Sequence, residues 1–382
     1  MTARRGKKER DLRLLGQAVR LTSEDIAVRG KPGGGQLPGT LWGTMARRGL
    51  LGWSIPAAYG GTGAPYSEIR RAIESFVESG GRPGLALSWI VHLIVAKLFI
   101  SGAGRRDQKR DILPAMAAGR ATTSIALSEP GAGNDPKRIR SSAVKKNNRY
   151  VLKGEKAWLT NGPMADYFVV FAATDQRGDR KPFSAFLVPR RTPGLTIVDV
   201  PPLGYLEPAR HCAIRMDSCA VPEAAILGRK GRAWEDLSKP FRIVEDTLLS
   251  GVILGGLGRQ LKEIVRSLQD GKRPMNSGMR ERIGSAAAML EAAKQIAQWT
   301  AVDLDREGPG TTVDQKLASL QLMEQALQED IASIREDIGG TFPSAIEAAG
   351  DDITRLIGLG MLASRARQRK WGDTLLMERK TL

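Results

Sequence analysis

A block of short β-type segments between two helical regions constrains the fold of this chain more than any other feature. Within residues 121–230, β-branched and aromatic runs alternate with Gly, Pro, Asn and Asp, as in YFVVFAATD, FSAFLVPR, LTIVDV and CAIRMD. Runs of this length and spacing are typical of a small antiparallel β-barrel or sandwich. The sequence on either side changes to helical periodicity, so the β segments are expected to form a domain of their own.

Helical patterns fill the two flanking regions. Before residue 121, apolar stretches of helical character are interrupted by glycine-rich turns. After residue 233, apolar residues recur every three, four or seven positions from Leu317 to Ile338, which is the stripe that a helix buries in a bundle. We therefore predict an α+β protein with three domains. They are an N-terminal helical domain (1–120), a central small antiparallel β-barrel (121–232) and a C-terminal helix bundle (233–382).

Glycines are unusually dense in one of the predicted bundle helices. Gly251, Gly255, Gly256 and Gly258 lie within two turns, although each glycine costs about 1 kcal/mol relative to alanine in a helix interior. The cluster therefore predicts a close approach, either to a neighbouring helix or to a flat ligand.

The charge of the chain is its most unusual compositional property. There are 58 Lys and Arg against 41 Asp and Glu, a net charge of +17, which attracts polyanions such as nucleic acid, nucleotide phosphates or an acidic protein. The two histidines and the two cysteines, Cys212 and Cys219, form neither a disulfide framework nor a metal-binding pattern. No metal site is therefore expected.

One apolar stretch raises the question of a membrane span. Residues 85–102 are mostly apolar, but they contain His92 and Lys97 and are barely long enough to cross a bilayer. The basic N-terminus lacks the apolar core of a secretory signal. We therefore expect a core helix rather than a membrane span, in a cytoplasmic protein.

Four segments resemble, in order and spacing, the motifs of acyl-CoA dehydrogenases. They are GLLGWSIPAAYGGTG (49–63), DILPAMAAGRATTSIALSEPGAGND (111–135), LKGEKAWLTNGPMADYFVVFAAT (152–174) and PPLGYLEPARHCAIRMDSCAVPEAAILG (201–228). Members of that family are FAD-dependent enzymes with the same order of helices, β-barrel and helix bundle. The resemblance extends from about residue 40 to residue 260 and fades beyond it.

The resemblance places the flavin against the loop LSEPGAGND. The main chain at Leu127 and the hydroxyl of Ser128 would bond the pyrimidine edge of the ring system. Gly133 and Asn134 would lie near the pyrophosphate, where a missing side chain lets main-chain N–H groups approach an anion. The family usually has Ser at the position of Asn134, and both residues can donate a hydrogen bond.

The second flavin segment implied by the resemblance is EKAWLTNG (155–162). Trp158 would pack on the ring system and Thr160 would bond near N5. A flat, electron-poor ring suits an aromatic wall and a few fixed donors. The alternative is a glycine-rich barrel loop with a Trp in the core.

The resemblance also implies a glutamate base that removes the α-proton of an acyl thioester. Most members carry it in a YEGT-like segment, but the matching stretch, DDITRLIGLGM, has Leu359 at that position. A minority carry it on the first long helix of the C-terminal domain, and RIVEDTLLSGVILGGLG sets Glu245 there. The next residue is usually Arg but is Asp246 here, so Glu245 is expected to lack a neighbouring cation. Glu245 is nevertheless the predicted base.

Two bundle motifs that bind the adenosine half of FAD across a subunit interface in the family are altered here. Arg273 is the candidate for the arginine of the first motif, and Gly339 and Gly340 match the glycine pair of the second. Glu336 stands where Gln is expected, and its carboxylate would repel a pyrophosphate. A site shared in this way implies a homodimer or homotetramer.

The functional prediction is an FAD-dependent dehydrogenase in which the β-hydrogen of an acyl thioester leaves as hydride to flavin N5. The acyl group would be carried by CoA or by an acidic acyl carrier protein, and an electron-transfer flavoprotein is a candidate electron acceptor. Two alternatives stay open: a flavin-dependent oxygenase or oxidase of the same fold, and a non-catalytic basic binding protein. Nucleic acid is a minority interpretation, because the basic residues are spread along the chain.

Overall fold

The computed structural model describes residues 39–133, 135–174, 181–270, 276–339 and 344–378. Its helices are α1 (Gly39–Arg47), α2 (Tyr66–Glu78), α3 (Pro83–Ile94), α4 (Arg106–Ala117), α5 (Lys239–Asp270), α6 (Ser277–Glu307), α7 (Thr311–Ile338) and α8 (Ser344–Glu378). Its strands are β1 (Thr123–Ala126), β2 (Ser142–Lys146), β3 (Arg149–Thr160), β4 (Tyr167–Thr174), β5 (Phe183–Pro189), β6 (Leu195–Asp199), β7 (His211–Pro222) and β8 (Ile226–Leu227). The order of helices, strands and helices confirms the predicted fold class.

The described residues fall into two compact units. One contains residues 65–86 and 246–378, and the other contains residues 39–64 and 87–245. Helices α3 and α5 each pass from one unit into the other. The three domain boundaries expected from composition remain predictions.

The eight strands form one sheet with the order β6-β7-β3-β2-β4-β5-β8, and β1 lies beside β4. β1 pairs with the first half of β4 and β2 pairs with its end, both in parallel. Because β5 occupies the other edge of β4, β1 and β2 run in the same direction along one edge. The expected purely antiparallel pattern is therefore corrected to a mixed sheet. The loop that carries the flavin motif joins β1 to β2 along that edge.

The glycine cluster of α5 is explained by a close approach to α2. A Cβ atom on Gly251 would lie 2.6 Å from the carbonyl oxygen of Arg70, and one on Gly255 would lie 2.6 Å from that of Glu74. Carbon atoms cannot approach oxygen this closely, so only glycine fits at either position. Of the two interpretations, the structure supports contact with a neighbouring helix.

The apolar stretch forms α3 and a π-helical continuation over Val95–Ala103. Among the described residues, Pro83–Ala103 is one helix long and apolar enough to cross a membrane, and 83% of its most apolar window is buried. The Ser54 hydroxyl donates to the carbonyl of Leu93 (2.8 Å), and the Lys97 ammonium donates to the carbonyl of Ala64 (2.9 Å). These polar contacts are those of a helix packed inside a protein.

Candidate functional site

The loop after β1 and the end of β3 are joined by hydrogen bonds. The main-chain N–H of Ala157 donates to the carbonyl of Ser128 (3.0 Å). The buried hydroxyl of Ser124, on β1, donates to the carbonyl of Thr160 (2.6 Å). The structure thus brings Ser128 next to the residues that flank Trp158, although the two segments are some 30 residues apart in the chain.

Trp158 has a conformation that bulky residues rarely adopt. The register between β3 and β7 shifts between Lys156 and Leu159, and Trp158 lies in this bulge with a φ of 62°. Non-glycine residues in this left-handed region persist only where the surrounding structure holds them, often at ligand sites. The Trp158 side chain is 55% exposed, so the alternative of a core tryptophan is wrong.

A buried ion pair fixes the shape of the loop. The fully buried ammonium of Lys156 donates to Glu129 Oε1 (2.9 Å) and to the carbonyl of Leu127 (3.0 Å). The same carboxylate accepts the main-chain N–H groups of Arg140 (2.7 Å) and Ser141 (2.9 Å). Two ends of the loop are therefore attached to β3 through one pair of side chains.

The two partners of this pair titrate differently from exposed groups. Burial lowers the pKa of Lys156 to about 8, against the opposing influence of the Glu129 charge. Burial alone would raise the pKa of Glu129, but the charge of Lys156 and the hydrogen bonds to the carboxylate outweigh it and lower the pKa. Both groups are therefore charged at neutral pH.

The tip of the loop is open. Gly131 and Gly133 have φ values of 69° and 58°, and a Cβ atom on either would meet nothing within 4 Å among the described residues. Lys137 and Arg138, both exposed, lie four and five residues after Gly133. Left-handed glycines with open space and nearby cations are suited to an anionic group. Asn134 lies outside the described residues.

Thr160 has a side-chain partner that the sequence did not reveal. Thr160 lies opposite His211 in the register of β3 and β7, and its Oγ1 is 3.1 Å from Nε2 of the histidine. Burial lowers the pKa of His211, while a hydrogen bond with the main chain of Ala209 acts in the opposite direction.

Glu245, the predicted base, lies near the start of α5. Its side chain is 18% exposed, and Arg242 Nη1 lies 3.5 Å from Glu245 Oε2. The expectation that Glu245 lacks a neighbouring cation is therefore wrong, because an arginine one turn earlier supplies it. Asp246 is buried and pairs with Arg367 on α8 at 2.7 Å.

Comparison with known proteins identifies the family. Sequence profiles of the acyl-CoA dehydrogenase N-terminal domain and middle domain match residues 20–120 and 124–219. An acyl-CoA dehydrogenase of Bacillus subtilis is 30% identical over 278 residues, which are 72% of this chain and 72% of that protein. The chain belongs to the acyl-CoA dehydrogenase family.

Two further comparisons extend over more of the acyl-CoA dehydrogenase fold. An L-prolyl-(peptidyl-carrier protein) dehydrogenase of Pseudomonas fluorescens is 28% identical over 323 residues, 83% of this chain and 84% of that protein. A solved structure described as PigA with FAD and proline has a TM-score of 0.82 at 21% identity and covers 96% of this chain and 98% of its own. The structural likeness includes the C-terminal helices, where the sequence resemblance fades.

The C-terminal positions expected from other acyl-CoA dehydrogenases are only partly described. Leu359 is 61% exposed on α8, which continues as a helix through the stretch matched to the YEGT-like segment. Gly339 ends α7 with a φ of 57°, and Glu336 is exposed in the last turn of that helix. Arg273 and Gly340 lie outside the described residues. The roles expected for Arg273, Gly339 and Gly340 therefore stay predictions.

The sequence missed the residues that hold the loop and Thr160 in place. For Lys156 a signal existed, because it continues the inward-facing alternation of Tyr150 and Leu152, and both of these are buried. A lysine at a core-facing position needs a buried anion as partner. His211 gave no such signal, since its contact with Thr160 depends on how two distant strands align.

Proposed function

We propose that this acyl-CoA dehydrogenase family member is an FAD-dependent dehydrogenase of acyl thioesters. The observation that carries the proposal is the hydrogen-bonded meeting of the loop at Ser128 with the bulge at Trp158. Two family motifs that would face the same ring system are neighbours in this structure, and Trp158 of the second motif is exposed.

The residues present fit FAD. The exposed Trp158 offers an aromatic face, and the half-buried Ser128 and Thr160 offer hydroxyl groups nearby. Gly133 leaves open space where an anionic group needs main-chain contact. In the proposed assignment Leu127, Ser128, Trp158 and Thr160 hold the ring system, and Gly133 lies at the pyrophosphate.

Glu245 acts as the base in this proposal. Its carboxylate takes the α-proton of the thioester, and the electron pair left on the α-carbon forms the double bond as the β-hydrogen departs with its own pair. When bound, FAD supplies the acceptor for that hydride. Arg242 orients the carboxylate by charge attraction over 3.5 Å.

The charge of the chain and its relatives support the proposed substrate class. A protein with a net charge of +17 attracts both CoA and acidic carrier proteins, and the relatives include a dehydrogenase of CoA esters and one of a carrier-bound prolyl group. We propose an acyl group on one of these two carriers, an electron-transfer flavoprotein as acceptor, a homodimeric or homotetrameric assembly and a cytoplasmic location.

The test follows the visible flavin absorption of the FAD-loaded protein during anaerobic addition of acyl-CoAs and, separately, acyl- or prolyl-loaded carrier protein. Bleaching by one of these substrates is expected. Glu245→Gln should keep the flavin spectrum and slow bleaching by roughly 10²–10⁴-fold, the range for loss of a general base. Bleaching at the wild-type rate would remove Glu245 from the mechanism.

Glu263→Gln is a matched control. Glu263 also lies on α5, is 21% exposed and pairs with an arginine three residues away, as Glu245 does. Its bleaching rate should equal that of the wild type. A flavin that no thioester bleaches, but that reacts rapidly with oxygen after chemical reduction, would instead favour the oxidase alternative.

A further inference from the structure

The contact between Thr160 and His211 joins a residue of the proposed flavin site to a titratable ring. The main chain of Thr160 is fixed in place, because its carbonyl oxygen accepts a hydrogen bond from the Ser124 hydroxyl at 2.6 Å. Its hydroxyl lies 3.1 Å from His211 Nε2. The register of β3 and β7 aligns the two residues directly, so the contact is part of the sheet rather than a chance surface encounter.

The direction of this hydrogen bond depends on the tautomer of His211. The main chain of Ala209 acts to raise the pKa of His211, which is the effect of a carbonyl oxygen that accepts a ring N–H. A neutral imidazole has one donor nitrogen and one acceptor nitrogen. With the proton on Nδ1, the nitrogen that faces Thr160 carries none. Nε2 is then the acceptor, and the Thr160 hydroxyl must donate to it.

We propose that His211 carries its proton on Nδ1 and is a positioning residue that fixes the direction of the Thr160 hydroxyl proton, so that Thr160 presents a hydrogen-bond acceptor, not a donor, to the cofactor. The inference rests on the proposed function, in which Thr160 lies near flavin N5. An oxidised flavin accepts a hydrogen bond at N5, whereas a reduced flavin carries a hydrogen there. Neutral His211 thus favours the reduced cofactor over the oxidised one.

Protonation of His211 would reverse this polarity. An Nε2–H would donate to the Thr160 oxygen, and the hydroxyl proton would be free to point away. Glu207 and Arg210 line the same small cleft as His211. The charges of Asp199, on β6, and Arg190, after β5, act on the neighbouring Cys212. Burial lowers the pKa of His211, so the neutral ring is the form present at neutral pH.

The tautomer can be measured without any cofactor. The chain has two histidines, and His92 is fully buried with a pKa lowered by burial to about 4, so nitrogen-15 NMR of the imidazoles resolves two distinct rings. We expect His211 to be protonated on Nδ1, with Nε2 shifted as a hydrogen-bond acceptor. Thr160→Val should move the Nε2 resonance and Thr160→Ser should restore it. An Nε2–H tautomer, or no change in Thr160→Val, would overturn the proposal.

The consequence for the cofactor is tested by a double-mutant cycle on FAD affinity. His211→Phe frees the Thr160 hydroxyl to donate, so oxidised FAD should bind roughly three- to tenfold more tightly, the value of one hydrogen bond. In a Thr160→Val background, His211→Phe should have no such effect. Equal effects in both backgrounds would overturn the proposal.

The two proposals fail in different ways. FAD that binds with the expected coupling but is bleached by no thioester contradicts the proposed function alone. Bleaching by a thioester without coupling between His211 and Thr160 contradicts only the positioning role of His211.

Discussion

Glu324→Gln gives a direct measurement of the electrostatics inside the helix bundle. Glu324, on α7, is 3% exposed, and its Oε1 atom has no hydrogen-bond partner among the described residues. Its pKa is raised to about 8: burial is the largest cause, the charge of Asp246 acts in the same direction and that of Arg70 opposes them. Asp246 is itself paired with Arg367 at 2.7 Å, so Arg367 already has a carboxylate partner. Glu324 is therefore a neutral acid in the folded protein at neutral pH.

The sign of the pH dependence follows from where each state binds its proton. Between the ordinary glutamate pKa of 4.5 and the folded value of about 8, the folded protein keeps the proton of Glu324 while the unfolded chain releases it. The unfolded state binds fewer protons, so the free energy of unfolding falls as pH rises through this interval. At 1.36 kcal/mol per pKa unit, the loss is about 3 kcal/mol at pH 7 and about 5 kcal/mol above pH 8.

Glutamine keeps the shape of the protonated acid but cannot ionise. We therefore expect Glu324→Gln to match the wild type near pH 4.5 and to exceed its stability by several kcal/mol near pH 8. The measurement is urea unfolding followed by helical circular dichroism at a series of pH values. Glu329→Gln, on the same helix but exposed, should run parallel to the wild type. Parallel curves for Glu324→Gln as well would refute the assignment of a buried neutral acid.

Two further predictions concern the loop and the helix contact. Lys156→Met leaves a buried carboxylate without its cation and should lower the free energy of unfolding by about 3 kcal/mol. Lys153→Met, at an exposed position of the same strand, should change it little. Equal losses would mean that the buried ion pair does not stabilise the protein. Gly255→Ala places a Cβ against the Glu74 carbonyl and should lower the free energy of unfolding by about 1–3 kcal/mol. Gly284→Ala, in open space on α6, should raise it by about 0.5–1 kcal/mol. Thermal melts distinguish the two, and a stabilising Gly255→Ala would contradict the close approach.

The fold and the loop that carries Ser128 could be predicted from the sequence, because local patterns determine them. Periodicity separated helices from strands, and glycines with polar residues marked the loop that carries Ser128. The mixed character of the sheet could not be read, since it depends on β1 and β2 sharing one edge of β4. The pairing of Glu129 with Lys156 was hidden for the same reason, because residues 27 positions apart meet only when a strand order is known.

Two departures from the family pattern are connected through α8. An aspartate at position 246 reverses the usual positive charge on α5, and a buried carboxylate of this kind requires a cation. Arg367 on α8 supplies it and also donates to Asp314 at 2.6 Å. The helix that carries this arginine is continuous from Ser344 to Glu378.

The continuity of α8 bears on the position of the base. In most acyl-CoA dehydrogenases the corresponding C-terminal stretch carries the catalytic glutamate, whereas here it is continuous helix from Ser344 to Glu378 with Leu359 exposed on it. Leu359 has no carboxylate to offer at that position. In the proposed function the half-buried Glu245, one residue before the aspartate and 3.5 Å from Arg242, takes the proton of the substrate instead.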